Sequence, residues 1–313
     1  GGDALEQLAR RGRMILDKTG TLTEGRLSVV RWIGDEGLRP VVAAIEAHSS
    51  HPVAIALAAP PPEPADRAAV AGVVSHPGRG MTATWIGRRL LVGSPGFAAT
   101  RGIGLGGDWR AAVDAAVADG LTPVVVCVDD SAAAVAALGD PIRADARSTL
   151  EKIRAMGWSV ELLSGDHPGA VAAVMRQLGI EQGRGGADPE TKADLVREAA
   201  ASGLVAMAGD GVNDAAALAA ASVGIGVHGG AEATLAAADV YLARPGLAPI
   251  AELLAGSRRT MRVIRRNLVF SLVYNAAAVS LAMAGLMNPA LAAILMPASS
   301  ITVVLSSYRA KTF

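Results

Sequence analysis

Short apolar runs that stop at a polar loop recur along the chain: residues 14–16 lead into Asp17, 160–163 into Ser164-Gly165-Asp166, and 204–208 into Gly209-Asp210. Runs of this length bounded by polar turns are the pattern of strands buried on both faces of a parallel sheet. Stretches with helical spacing, 143–156 and 170–178, lie between them. Alternating strands and helices predict a doubly wound α/β sheet, in which ligands gather beyond the carboxyl ends of the strands. Each of these ends carries an acid, so Asp17, Asp166 and Asp210 are expected to share one crevice. The stretch 26–137 breaks the alternation and reads as an inserted α+β domain. Residues 268–308 contain no Asp, Glu, Lys or Arg, and Asn288-Pro289 divides them almost in half. That length suits two membrane-crossing helices of about 20 residues each. Arg258, Arg259, Arg262, Arg265 and Arg266 precede the stretch and Arg309 and Lys311 follow it. The positive-inside rule then predicts a hairpin with both ends on the cytoplasmic side. A buried helical pair in a soluble core is the alternative, but such helices rarely run this far without a charge.

Composition narrows the partners. The 313 residues carry 29 Lys+Arg against 29 Asp+Glu with no long basic run, so nothing marks a nucleic-acid backbone as a ligand. With 51% hydrophobic residues the chain has material for more than one core, which excludes disorder as an overall description. Cys127 is the single cysteine and lies in the apolar run 124–128, which reads as a buried strand. A reducing, cytosol-facing body fits a chain that can form no internal disulfide.

The candidate chemistry begins at Asp17-Lys18-Thr19-Gly20-Thr21-Leu22-Thr23, directly after the first apolar run. The motif resembles the phosphorylation site of the P-type ATPases, a branch of the haloacid dehalogenase superfamily, whose aspartate attacks the terminal phosphorus of ATP. A carboxylate is an adequate nucleophile toward phosphorus only where the charge of the phosphate is offset, so Mg2+ and fixed donors must surround it. Asp210, in Gly209-Asp210-Gly211-Val212-Asn213-Asp214, offers a hard oxygen ligand for Mg2+, with Asp17 and the carbonyl of Thr19 as partners. Asn213 and Asp214 would hold that arrangement. Ser164, in the loop with Asp166, can donate a hydroxyl to a phosphoryl oxygen, and its family counterpart is more often threonine. By resemblance Lys192, in Asp188-Pro189-Glu190-Thr191-Lys192, is the phosphate-binding lysine. Hydrolytic members of the superfamily usually carry a second aspartate two residues after the nucleophile as general acid and base. Here that position is Thr19, so the aspartyl phosphate is expected to persist and drive a conformational change.

The segment 46–52, with Glu46 and His51-Pro52, looks like the signature of the heavy-metal branch of these pumps, whose histidine contacts adenine. Its partners by resemblance are Gly78-Arg79-Gly80 and Gly93, where the family more often has Asn in place of the following Ser94. Glycines let a backbone approach a nucleotide without a Cβ in the way. Polar residues in an apolar membrane helix are costly and invite a functional reading. Tyr274-Asn275 and Met296-Pro297-Ala298-Ser299-Ser300 are such residues, and Pro297 is expected to break its helix and free carbonyls beside the methionine. A thioether suits Cu(I), and neither stretch holds a carboxylate. The pair resembles the copper(I)-exporting subgroup, which implies Tyr274, Asn275, Met296 and Ser300 as intramembrane ligands or their neighbours, with Ag(I) on the same path. Met283 and Met287 match no motif and read as packing.

The resemblance implies a Rossmann-like haloacid dehalogenase-type phosphorylation domain at residues 1–25 and 138–250. A nucleotide-binding domain at 26–137 and two transmembrane helices at 251–313 complete it. It corresponds to the second half of such a pump, lacking the Cys-Pro-Cys helix and the Thr-Gly-Glu actuator loop, so the chain is expected to be a fragment or truncated product. Implied partners are ATP, Mg2+, a soft metal ion, the lipid bilayer of the cell (inner) membrane, a metallochaperone and the absent N-terminal half. Two rivals stand beside the pump: a membrane-tethered phosphatase of the same superfamily, and a non-catalytic nucleotide-binding module.

Overall fold

The computed structural model describes residues 2–211, 213–229, 236–286 and 289–310, apart from the side chains of 289–294, 296 and 298. Six strands, β1 (Arg13–Leu16), β8 (Ser159–Leu163), β9 (Gln182–Arg184), β10 (Val205–Gly209), β11 (Val223–Gly226) and β12 (Val240–Tyr241), form one sheet in the order β12-β11-β10-β1-β8-β9. The β8–β9, β10–β11 and β11–β12 pairs are parallel. Helices Pro168–Leu178, Pro189–Ser202 and Ala215–Ala220 connect successive strands from β8 to β11, as the alternating pattern predicts. Every residue of β10 is buried, which is why Val-Ala-Met-Ala-Gly reads as unbroken apolar sequence instead of alternating with polar residues.

By internal contacts the chain divides into two compact bodies, one comprising Gly1–Ile15, Arg147–Val160 and Ala193–Phe313, the other Leu16–Ala146 and Glu161–Lys192. In the first body, Arg13 N–H donates to Leu204 O at 2.9 Å and Ser159 N–H to Gly12 O at 3.1 Å, which ties the start of β1 to the flanks of β10 and β8.

The second body contains a separate antiparallel sheet of β2 (Ser28–Gly34), β3 (Val70–His76), β4 (Gly80–Trp85), β5 (Arg88–Gly93), β6 (Thr122–Val128) and β7 (Ser131–Gly139), in the order β2-β7-β6-β5-β4-β3. Both faces are covered. Val124, Val126 and Val128 pack with Val41, Val42 and Ile45 of helix Leu38–Glu46. Val125 and Cys127 point the other way, into a core with Phe97 and Val113 from helices Pro95–Thr100 and Gly107–Ala118. Alternate side chains of β6 thus serve two cores, and the strand carries no polar residue between Pro123 and Val128.

At the C-terminal end, a 36-residue helix, Ala248–Met283, is followed by the 20-residue helix Pro289–Tyr308. Pro249, Ile250, Leu253, Leu254 and Ser257 are buried, whereas Leu268, Leu272 and Val273 are exposed. Among the described residues no helix is long and apolar enough to cross a membrane, so the expected pair of spans is not reproduced as such. The second helix begins at Pro289, as expected, while Asn288 lies outside the described residues; the first helix begins twenty residues before Leu268. Its charge-free part within the helix, 267–283, extends only about 26 Å at 1.5 Å per residue, short of a hydrocarbon layer of about 30 Å.

Candidate active site

Asp17 leaves β1 in an extended conformation, φ −71° and ψ 158°, and the chain then turns back on itself through Lys18–Leu22, with Thr19 still extended at φ −73° and ψ 129°. Gly20 turns that corner at φ 72°, a left-handed conformation that a side chain resists. The turn is held by two residues from the end of β7. Arg143 donates from Nη2 to Gly20 O and from Nε to Thr21 O, both at 2.9 Å. Asp140 accepts the Thr23 hydroxyl at 2.5 Å and the Gly25 amide at 2.8 Å. Neither residue stood among the expected ones. The signal was the dipeptide Asp140-Pro141 closing a strand, which by itself reads as an ordinary turn.

Asp17 is 4% exposed, and the equally buried Lys192 donates from Nζ to its Oδ1 at 2.6 Å. Lys192 sits in the first turn of helix Pro189–Ser202, whose start is fixed by Asp188: the Thr191 N–H donates to Asp188 Oδ1 at 2.8 Å. That backbone hydrogen bond, assisted by the Thr191 hydroxyl, holds the Asp188 carboxyl below its ordinary pKa.

Asp166 forms the second centre. Its Oδ2 lies 2.6 Å from Lys18 Nζ and accepts hydroxyl hydrogen bonds from Ser164 and Thr19, each at 3.1 Å. Burial acts to raise the pKa of Asp166, but the Lys18 ammonium and the two hydroxyls outweigh it and keep the group below the usual carboxylate range. Ser164 therefore faces the carboxylate that orders this loop. Lys18, inside the phosphorylation motif but not singled out among its site residues, carries the positive charge on this side. The structure brings Asp17, Thr19, Ser164, Asp166 and Lys192 together in one body.

Asp210, Asn213 and Asp214 belong to the other body. Asp210 follows β10 directly and is half-buried, Asn213 is exposed and Asp214 is buried. A Cβ at Gly209 would lie 2.7 Å from Asp214 Oδ2, so the close approach of Asp214 requires glycine there. Among the described residues no group of three or more His, Cys, Asp or Glu side chains is arranged to hold a metal ion.

All five expected nucleotide residues, Glu46, His51, Gly78, Gly80 and Gly93, line one cavity of about 490 Å3. His51 caps helix Pro52–Leu57: its Nδ1 accepts from Val53 N at 3.3 Å, which assigns the proton to Nε2. Glu46, at the end of its helix, is 5% exposed, and burial lifts its pKa from 4.5 to about 7. Gly80 and Gly93 face each other across β4 and β5. A Cβ on Gly80 would stand 2.2 Å from Val92 O, and one on Gly93 2.6 Å from Arg79 O. These glycines let two strands meet closely, so their residue type follows from the cavity wall as well as from any ligand. Ser94 caps the next helix by accepting from Phe97 N at 3.2 Å.

Tyr274, Asn275 and Ser300 line a cavity of about 820 Å3 shared with Leu295 and Pro297. The Met296 side chain lies outside the described residues, as does Met287. Contrary to expectation, helix Pro289–Tyr308 continues through Pro297. Two residues before the proline, Leu295 O accepts the Tyr274 hydroxyl at 2.6 Å. Met283, expected to be packed, is 85% exposed.

The sequence profile of the haloacid dehalogenase-like hydrolases matches residues 14–222. The chain is 37% identical over 320 residues to a copper-exporting P-type ATPase of Mycobacterium tuberculosis (strain ATCC 25618 / H37Rv), which covers 100% of this chain and 41% of that protein. It is 34% identical over 328 residues to a silver exporting P-type ATPase of Salmonella typhimurium, covering 99% of this chain and 39% of that protein. The chain thus spans about two fifths of the length of the curated relatives it matches. A zinc-transporting PIB-type ATPase solved in its E2.Pi state superposes with a TM-score of 0.81 at 29% identity, over 99% of this chain and 51% of that one. A carboxylate at the end of a buried strand beside a buried lysine, on a fold matched over this range, leads to one assignment: the chain belongs to the haloacid dehalogenase-like hydrolase family, with copper- and silver-exporting P-type ATPases among its relatives.

Proposed function

We propose that this chain supplies the catalytic portion and the C-terminal membrane helices of a pump that translocates a soft monovalent metal ion, Cu(I), at the expense of ATP. The observation that carries the proposal is the buried pair of Asp17 with Lys192 at 2.6 Å, beside the Lys18-Asp166-Ser164-Thr19 network. Asp17 is the nucleophile: one carboxylate oxygen bonds to the terminal phosphorus while the bond from that phosphorus to the bridging oxygen breaks and ADP leaves. Lys192 and Ser164 stabilise the transferring phosphoryl group by moving their hydrogen bonds from carboxylate to phosphoryl oxygen. The donor set suits Mg2+, since the Asp17 carboxylate and the Thr19 carbonyl are hard oxygens, and Asp210 joins them on the resemblance of its motif alone. Bound there, Mg2+ supplies charge neutralisation for the phosphates. Glu46, His51 and the paired glycines form the nucleotide cavity, with His51 Nε2–H as the proposed donor to the base.

Tyr274, Asn275, Met296 and Ser300 are proposed as the path of the metal ion, and Ag(I) is expected to share it. The cavity at Tyr274 and Ser300 has no carboxylate among its lining residues, which favours a soft monovalent cargo over a hard divalent one. Exposed Leu268, Leu272, Val273, Val304 and Leu305 support lipid as the surroundings of these helices, with the catalytic bodies on the cytoplasmic side.

Incubation with labelled ATP and Mg2+ tests the reading. An acid-stable, hydroxylamine-sensitive phosphoprotein that disappears in Asp17→Asn is the expected result. Turnover with no such species would favour the phosphatase, a role for which Thr19 lacks the proton-accepting group. Nucleotide binding with no phosphorylation under any metal condition would favour a non-catalytic module.

A further inference from the structure

We infer that the arginine-lined cavity between the two C-terminal helices binds the phosphate headgroup of an anionic glycerophospholipid. Arg262 and Arg266 from the first helix and Arg309, just past the second, line an open hollow of about 420 Å3 together with Arg259 and Ser306. Glu252, which lines a neighbouring hollow with Arg259, pairs with Arg244, and beyond it the sequence contains no further Asp or Glu. Like charges gathered around one space repel each other, and an anion seated among them relieves the repulsion. Arginine forks match the geometry of a phosphate and are the usual means of holding one.

The hollow is shaped before any ligand arrives. Arg266 donates from Nη2 to Ser306 Oγ at 2.5 Å, Ser306 Oγ donates to Asn267 Oδ1 at 2.9 Å, and Asn267 Nδ2 donates to Ser307 Oγ at 2.8 Å. These bonds latch the helices together at the level of the arginines. What selects lipid over a soluble anion is the adjoining surface. Leu268 and Leu272, at 66% and 71% exposure, begin within two turns of Arg266, and Val304 at 64% follows on the facing helix. A phosphate in the hollow would lay its acyl chains along these side chains. Basic pockets at the cytoplasmic edge of membrane helices have this use in general. The inference rests on the membrane reading above.

The full chain in detergent is examined by native mass spectrometry with phosphatidylglycerol and with phosphatidylcholine, and is separately reconstituted into vesicles of each composition. Phosphatidylglycerol should be retained in preference, and Arg262→Gln or Arg309→Gln should weaken its binding about fivefold each. Arg265→Gln, an equal loss of charge outside the hollow, should leave binding within about twofold of the parent. An equal effect of Arg265→Gln would mean diffuse attraction and overturn the site. Displacement of the lipid by millimolar inorganic phosphate would make a soluble anion the ligand and overturn the lipid assignment. A chain that enters both kinds of vesicle without preference overturns this inference alone, whereas one that enters neither overturns the membrane reading together with it.

Discussion

Replacing Glu46 by glutamine tests whether a buried carboxyl group sets the pH dependence of the nucleotide-binding sheet. The side chain is 5% exposed, and burial shifts its pKa from 4.5 to about 7. Because the folded value lies above the unfolded one, folding favours the protonated form. The contribution is fully present below pH 4.5 and is lost as pH rises through 7. Each tenfold change in proton affinity is worth about 1.4 kcal/mol, so ionised Glu46 costs the fold about 3 kcal/mol above pH 7 relative to acid conditions. Glu46→Gln keeps the shape and removes the titration. The stability of the variant relative to the parent should therefore rise by about 3 kcal/mol between pH 4.5 and 8, with most of the rise complete near pH 7. Urea unfolding of the full chain across that range measures it through tryptophan emission, to which Trp32 and Trp85 contribute from the same core as the Glu46 helix. A difference that stays flat to within about 0.5 kcal/mol over the range would refute the reasoning.

Three further outcomes follow from the geometry. Lys192→Met should destabilise by about 3–5 kcal/mol by leaving Asp17 buried without its cation, while Lys192→Met with Asp17→Asn should cost clearly less than the sum of the single changes; additive costs in a denaturation cycle would sink the pairing argument. Gly80→Ala, at φ 152° with Val92 O only 2.2 Å from the new methyl, should lower stability by about 2 kcal/mol or more and weaken nucleotide binding in calorimetry; an unchanged melting temperature would show that the strands part easily. Arg143→Lys should slow phosphorylation at Asp17 about tenfold with nucleotide affinity held within about twofold, since the fork to Gly20 and Thr21 is lost and the nucleotide cavity is untouched; a matching loss of affinity would contradict that separation.

Much of the architecture was legible because burial on both faces leaves a simple trace. Residues 14–16 and 204–208 read as strands ending in aspartates, and β1 and β10 stand there. The grouping of Glu46, His51, Gly78, Gly80 and Gly93 around one cavity was legible only through motif order, since nothing in local spacing relates residue 46 to residue 93. Asp140 and Arg143 escaped notice because their work is done on backbone groups more than a hundred residues away, and a short polar turn carries no record of its distant partner. The effect of Pro297 was misjudged for a different reason. Local rules end a helix at proline, but Pro297 removes a single N–H, and with it the bond to the carbonyl four residues earlier, and the helix runs on through that gap. The extent of the first C-terminal helix was hidden as well: arginines mark a membrane boundary in sequence, yet the helix runs through them without interruption.

That continuity has a mechanical consequence. Leu254 is anchored in the core and Tyr274 faces the cavity of the helical pair, twenty residues farther along one unbroken helix and therefore about 30 Å away. Such a segment is a lever arm: a tilt of about 5° at the anchored end would carry the tyrosine about 3 Å, and the second helix latched to it would be drawn along.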